Sequence, residues 1–222
     1  MLLITARTAT SRLKIRKVMS KLFQSYVYSV IGEAEHTGHR HSSGKVFKST
    51  AFRIRYFDNR FEIEFTALDK AHEKMLAMKI LQNGMKLGAV HFADTTVSIA
   101  DRHTQESTLH VKGFVVAAVK NPVTNKKVYL QPGDPKHNEI IINHSLQKYE
   151  TLFNKAYEGT LEINVTWQGE REKRFYYESG PVSAWPARYE IRASSEMVNL
   201  LLDTSLGAES MKGLGFLEVV DE

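Results

Sequence analysis

Apolar positions change their period twice within the first sixty residues. Leu2 to Ile4 is a short apolar run ending in a β-branched residue, which predicts a strand, and Thr8, Thr10 and Ser11 after it are helix-capping types. Leu13, Val18, Leu22, Val27 and Ile31 then recur near helical spacing, with Arg12, Lys14, Arg16, Lys17 and Lys21 filling much of the other surface. A basic amphipathic helix is expected there, ending near Gly32. From Glu33 to Ser49 no apolar period is visible, and glycines, serines and three histidines predict an exposed loop. Phe52, Ile54 and Tyr56, then Phe61, Ile63 and Phe65, alternate with charged residues on either side of Asp58-Asn59, which reads as a β-hairpin.

Asp69 is placed to cap a helix holding Met75, Leu76, Met78, Ile80 and Leu81, with Asn83-Gly84 closing it as a left-handed C-cap. A strand within Val90 to Ile99 completes the order β, α, β, β, α, β, the ferredoxin-like arrangement. The pattern then repeats. Strands are expected at Phe114 to Val119 and Lys127 to Leu130, and a helical stripe of Leu146, Tyr149, Phe153, Ala156 and Tyr157 runs to Gly159. Further strands are expected at Leu161 to Trp167 and Arg174 to Tyr177, a helix at Ser195 to Leu202, and a closing strand at Phe216 to Val220. The reading is an α+β chain of two tandem ferredoxin-like domains, residues 1 to 112 and 113 to 222, with no low-complexity linker between them.

Composition narrows the chemistry. No cysteine is present, so disulfides, zinc ribbons and thiol nucleophiles are excluded. The net charge is +5, but residues 1 to 60 carry 12 Lys/Arg against 3 Asp/Glu, so the remainder is slightly acidic. A basic segment on such a body favours a polyanionic partner, whose phosphates release counterions when neutralised; the plain alternative is a solvated helix face. No apolar run approaches the roughly 18–20 residues that span a bilayer, and a cytoplasmic protein without membrane contact is expected.

Two segments carry candidate chemistry. His36, His39 and His41 sit close to Lys45 and downstream of Tyr26 and Tyr28. Three readings compete: a transition-metal site, incidental surface histidines, and metal-free RNA cleavage. Cleavage without a metal needs a base for the ribose 2′-hydroxyl, an acid for the leaving 5′-oxygen and a cation for the developing charge. Histidine, tyrosine and lysine supply those roles, so neither cofactor nor metal is required. The second segment runs from Ser205 to Phe216, where Gly207, Gly213 and Gly215 let a backbone approach a phosphate and Lys212 adds charge. It is neither a Walker loop nor a dinucleotide fingerprint, and a plain tight turn is the alternative.

The ending Gly213-Leu214-Gly215-Phe216-Leu217-Glu218-Val219-Val220, preceded by a glycine turn and a basic spacer, resembles the C-terminal glycine-rich signature of the CRISPR-associated endoribonucleases called Cas-six. Lys45-Val46-Phe47-Lys48-Ser49 after the histidines is similar to the family's early loop, and Asn121-Pro122-Val123 to its mid-chain segment. Ser205 stands where the family has its first glycine. The resemblance implies two ferredoxin-like domains and metal-independent cutting of CRISPR precursor RNA within each repeat, leaving a 2′,3′-cyclic phosphate. It also implies that His39 is the family's histidine, with His41 next and His36 third. Tyr26, or failing that Tyr28, would be the helix-borne tyrosine, and Lys45 would stabilise the transition state. RNA would be held by Arg12, Lys14, Arg16, Lys17, Gly207, Lys212, Gly213 and Gly215. Repeat RNA is the implied partner, together with other subunits of a surveillance complex. The rivals are a non-cleaving RNA-binding subunit of such a complex and a metal-dependent hydrolase using the three histidines.

Overall fold

The computed structural model describes residues 1–8, 16–92 and 94–220. In chain order the first half holds β1 (Leu2–Arg7), α1 (Met19–Ile31), α2 (Glu33–Thr37), β2 (His39–Arg40), β3 (Val46–Phe47), β4 (Thr50–Tyr56), β5 (Arg60–Ala67), α3 (Lys70–Asn83), β6 (Met85–Leu87), β7 (Val90–Phe92) and β8 (Thr95–Ile99). The second half holds β9 (Thr108–Gly113), β10 (Ala118–Lys120), β11 (Lys127–Tyr129), α4 (Pro135–Phe153), β12 (Glu162–Gln168), β13 (Lys173–Tyr177), β14 (Gly180–Ala184), β15 (Ala187–Arg192), α5 (Ser195–Thr204) and β16 (Glu218–Val219).

Two antiparallel sheets organise these elements, ordered β4-β5-β1-β8 and β12-β15-β9-β16. In each, the first and third strands by sequence lie at the centre, so both halves have the ferredoxin-like topology. Alternation drives the packing. Leu2, Ile4 and Ala6 of β1 turn inward with Phe61, Ile63 and Phe65 of β5, and Phe23 and Val27 of α1 and Leu76 and Ile80 of α3 cover them. The second core repeats this with Val111, Ile163, Tyr189 and Ile191 beneath Ile141 of α4 and Met197 and Leu201 of α5.

Several elements differ from the sequence expectation. The expected loop from Glu33 to Ser49 contains α2, bounded by the positive-φ glycines Gly32 and Gly38, and a short ladder in which His39 faces Phe47 and Arg40 faces Val46. Gly84 does end α3, but at φ 67 and ψ 178, which is not the left-handed helical conformation. The strand expected within Val90 to Ile99 is split, because β7 folds back on β6 and β8 alone joins β1. In the second half the first sheet strand is β9 rather than Phe114 to Val119, so residue 112 falls inside it, while β10 pairs with β11 outside the sheet. Leu109 and Val111 turn inward on β9 while His110 and Lys112 lie between and after them, a period-2 alternation that the sequence itself carries. The stripe expected to end at Gly159 is a longer helix. Asp134 caps it by accepting from the Lys136 N–H at 2.8 Å, Pro135 occupies its first turn, and Asn154 ends it in the left-handed region. Arg174 to Tyr177 forms a separate hairpin with β14, and the sheet strand is β15. Arg12, Leu13 and Lys14 of the expected helix lie outside the described residues.

The halves are joined by charge and by insertion. Arg53 and Arg55 of β4 share Glu64 of β5 and Glu218 of β16, with Arg53 2.8 Å and Arg55 3.1 Å from Glu218. Lys70 at the start of α3 pairs with buried Asp203 of α5, which also holds His103 at 2.7 Å. Met211 leaves the second half to enter the first core, where its sulfur accepts from the Thr50 hydroxyl at 3.3 Å.

Met211→Ala should therefore lower unfolding stability by about 2–5 kcal/mol, as for other large-to-small core changes. Val123→Ala, at a residue 90% exposed, should change it by less than about 0.5 kcal/mol. Equal denaturant midpoints for the two variants would contradict the role given to Met211.

Candidate functional site

The three histidines of the early segment each meet a different carboxylate. His36 lies with Nδ1 3.0 Å from Glu33 Oε1, its ring against Tyr28 at 5.0 Å. His39 lies with Nε2 3.2 Å from Glu35 Oε1 and is 40% exposed, whereas the Glu35 carboxylate is buried and its Oε2 has no partner. The Nδ1 of His41 accepts from the Ser43 N–H at 3.1 Å, which leaves the proton on Nε2, 3.3 Å from Glu150 Oε2. Lys45 donates to Gln147 Oε1 at 2.7 Å. His41 and Lys45 thus reach across to α4, and between them Phe47 is buried with its ring edge-on to His144 at 4.9 Å.

The helix α1 separates its two tyrosines. Two residues apart is about 200° of rotation. Tyr26 donates weakly to Gly84 O at 3.5 Å, beside a cleft that includes Lys79, Lys86 and His91, away from the histidine segment. Tyr28 is the tyrosine that the fold brings to the histidines. It carries His36 on its ring, with the Lys48 ammonium 5.2 Å from the ring centroid. Burial raises the pKa of both phenols. Lys48 donates to the carbonyl oxygens of Glu35, at 2.9 Å, and of His36, and burial lowers its pKa against the pull of Glu35.

The glycine-rich segment is shaped by close backbone approaches. A Cβ on Gly207 would lie 2.7 Å from Val116 O, and one on Gly215 would lie 2.2 Å from Leu206 O. Both residues have positive φ. Ser205 also has positive φ, at 76°, an unusual conformation for a side chain of its type. Directly behind it the buried Lys148 ammonium donates to the carbonyls of Thr204 at 3.0 Å and Ser205 at 2.7 Å. Burial pulls the Lys148 pKa down to about 7. One helical turn earlier, burial together with the charges of Lys148 and Lys45 lowers His144 to about 3. Lys212 pairs with Glu209 at 3.0 Å and Lys127 with the same carboxylate at 2.8 Å. Burial raises the pKa of Glu209, but these two hydrogen bonds outweigh it and hold the carboxyl below its usual range.

Two of the cavities that open on this segment hold cationic side chains named above. One, of about 330 Å³, is lined by Gln24, Phe47, Lys48, His144, Lys148 and residues 207 to 212. The other, of about 460 Å³, joins Arg16 and Lys17 to Lys173, Arg174 and Tyr176 of the β13–β14 hairpin and to Lys212 and Gly213. Its wall holds Arg16 over the Tyr56 ring at 4.3 Å, and burial pushes the Tyr56 pKa up to about 12 although Arg16 opposes it. The fold therefore unites Arg16, Lys17, Lys212 and Gly213, while Arg12 and Lys14 lie outside the described residues. Sequence reading missed Lys48, His144, Lys148, Lys173 and Arg174. His144 and Lys148 are four apart on a helix and so share a face, but nothing in the sequence points that face at the glycines. Among the described residues no three His, Asp or Glu side chains gather to hold a metal ion, and no helix is long and apolar enough to cross a membrane.

Residues 101–219 match the family profile described as CRISPR associated protein Cas6, C-terminal. No curated protein matches the chain in sequence. Solved structures share its fold over nearly the whole length. A Cas6-related protein from Pyrococcus furiosus superposes with a TM-score of 0.72 at 12% identity, covering 100% of this chain and 99% of that one. A RAMP protein binding different RNA substrates gives 0.70 at 10% identity, with 100% of both chains covered. A Cas6 product complex gives 0.65 at 13% identity, covering 99% and 98%.

His144 and Lys148 both bind fewer protons in the folded chain than in the unfolded one, so stability rises with pH through each window. The contribution of His144 is complete above its ordinary value of 6.5 and is lost as the pH falls towards 3; that of Lys148 is complete above 10.5 and lost towards 7. Urea midpoints should fall between about pH 6.5 and about pH 4.5, and His144→Leu should flatten that limb. An unchanged acid limb in the variant would assign it to another group.

Proposed function

The chain belongs to the family of CRISPR associated protein Cas6, and from that membership we propose that it binds CRISPR repeat RNA and cuts it within the repeat. The observation that carries this reading is the 330 Å³ cavity, where a lysine from the histidine segment, a histidine and a lysine from α4, and the glycine-rich segment meet at the seam between the domains. A nearby basic and aromatic cleft supplies the means to hold a strand. Arg16, Lys17, Lys173 and Arg174 neutralise phosphates there, and exposed Tyr176 offers a face on which a base stacks. Relatives described as binding RNA substrates or as a product complex agree with such a partner.

In the reaction we propose, the 2′-oxygen attacks the adjacent phosphorus, the bond to the 5′-oxygen breaks, and a 2′,3′-cyclic phosphate and a free 5′-hydroxyl result. Charge develops on the phosphoryl oxygens. Lys48 borders the cavity and takes the charge-stabilising role expected of Lys45, which does not line it. Of the loop histidines, His39 combines exposure with a buried carboxylate behind it, an arrangement that orients an imidazole for proton transfer. Tyr28 takes the place expected of Tyr26 beside that segment.

One observation favours a second reading, a non-cleaving RNA-binding subunit. Each loop histidine rests on a carboxylate, and the residues lining the cavity include none of the three. A metal-dependent hydrolase built on the three histidines has no support in their arrangement, since they face Glu33, Glu35 and Glu150 separately.

A panel of repeat RNAs incubated with and without EDTA separates these readings. Cutting should persist in EDTA and stop when the scissile nucleotide is 2′-deoxy, because the nucleophile is then missing. Binding without cutting on every repeat would favour the second reading, and loss of activity in EDTA alone would return the metal. Reversing Arg16 and Lys17 together to Glu should weaken RNA binding and flatten the plot of log affinity against log salt by about 1.4, the loss of two single-strand phosphate contacts. An unchanged slope and affinity would make that end of α1 a solvated face only.

A further inference from the structure

We propose that His144, contributed by α4 of the second domain, is a catalytic residue of the cavity beneath the glycine-rich segment and takes the proton from the attacking 2′-hydroxyl. The inference rests on the RNA-cutting reading above and assigns its base. Of the chain's 9 histidines, His144 is the one whose ring borders the cavity shared by Lys48, Lys148 and residues 207 to 212. The others are placed elsewhere: the loop histidines on their carboxylates, His103 on Asp203, His91 on the Asn83 carbonyl.

The surroundings of His144 are those of a poised group rather than of a structural one. A structural histidine in a protein interior has its nitrogens hydrogen-bonded. The Nδ1 of His144 is buried with no partner, as is one ring nitrogen each of His72 and His137, but of these three only His144 borders the cavity, and Phe47 meets its ring at an interplanar angle of 66°. The Phe47 ring also meets that of His41, with centroids 6.3 Å apart, so one aromatic residue touches an imidazole from each domain. Burial and the neighbouring ammonium groups keep the empty site's imidazole neutral, with its lone pair free. A phosphodiester entering the cavity brings a negative charge that offsets those ammonium groups and favours the imidazolium formed on proton uptake.

The step balances without a further reagent. The 2′-hydroxyl proton passes to the imidazole of His144 as the 2′-oxygen–phosphorus bond forms. The phosphorus–5′-oxygen bond breaks, and the leaving oxygen takes a proton from a water molecule entering the open cavity. The hydroxide so formed takes the proton from His144, which returns the imidazole to neutral. Lys148 has a different part. Its ammonium holds the carbonyls of Thr204 and Ser205 and so positions the glycine-rich segment over the cavity.

Single-turnover cleavage of a repeat RNA by the full chain tests this, using His144→Asn and His144→Gln, with binding measured on the 2′-deoxy RNA and folding followed by circular dichroism. Both variants should lose about a hundredfold or more in rate, the usual scale for removing an acid or base. Both should keep 2′-deoxy RNA affinity within about threefold and wild-type circular dichroism, since one imidazole adds little to binding in the ground state. Either variant cutting at the wild-type rate overturns the proposal. So does a rate loss that only follows a loss of affinity or of folded protein. If wild type binds but does not cut, the RNA-cutting reading itself falls and this inference falls with it, which is distinct from an active wild type with active His144 variants.

Discussion

Residues 205 to 217 must satisfy three hydrophobic clusters within thirteen positions. Leu206 and Leu217 belong to the core of the second domain, Leu214 to a smaller cluster with Val116 and Val182, and Met211 to the core of the first domain. A regular helix or strand places neighbouring side chains on fixed faces and cannot serve three directions at this spacing. The chain solves the problem with left-handed and extended turns at Ser205, Gly207, Glu209, Gly213 and Gly215. Glycine is required where backbone meets backbone, at Val116 and at Leu206.

That packing problem also explains where the cationic groups lie. A segment bent this way turns carbonyls inward, where they need donors. Lys148 answers two of them, and its own charge is then buried beside His144. The ammonium on one side and the Glu209 carboxylate on the other leave the segment with little net charge of its own. On the proposed reading, phosphate attraction would fall to the flanking pieces, Arg16 and Lys17 before α1 and Lys173 and Arg174 on the β13–β14 hairpin. Support and attraction are divided between different residues, which is why glycine spacing alone says little about affinity.

Much of the fold was legible because alternation and caps are local. The hairpin of β4 and β5, the Asp69 cap and the Ser195 helix all follow from residues within a few positions of one another. The elements misread are those whose partners are distant. β9 and β15 both alternate, with Leu109 and Val111, and Tyr189 and Ile191, inward, but which of several alternating runs enters the sheet depends on pairing with distant strands. At the candidate site, the structure brings the basic residues at 16 and 17 to one cavity with Lys212 and Gly213, all of which the sequence had singled out. The sequence could not tell Tyr28 from Tyr26, because a rotation about a helix axis has no reference until the sheet beneath it is known. Nor could it find His144 and Lys148, whose relation to Lys48 and Ser205 exists only once α4 docks against both domains.

The contacts of His41 with Glu150 and of Lys45 with Gln147 close loops of 109 and 102 residues. Such closures come late in folding, because chain entropy must be lost before they return any contact energy. The first sheet, by contrast, draws only on residues up to Ile99. During synthesis that sheet, with its basic segment, is complete while α4 and residues 205 to 217 are still to be made. A nascent chain at that stage would offer a surface attractive to nucleic acid but no cavity in which to react with it. If the chain cuts RNA as proposed, an interrupted polypeptide that lacks residues 205 to 217 would lack the wall of the cavity in which that chemistry is placed.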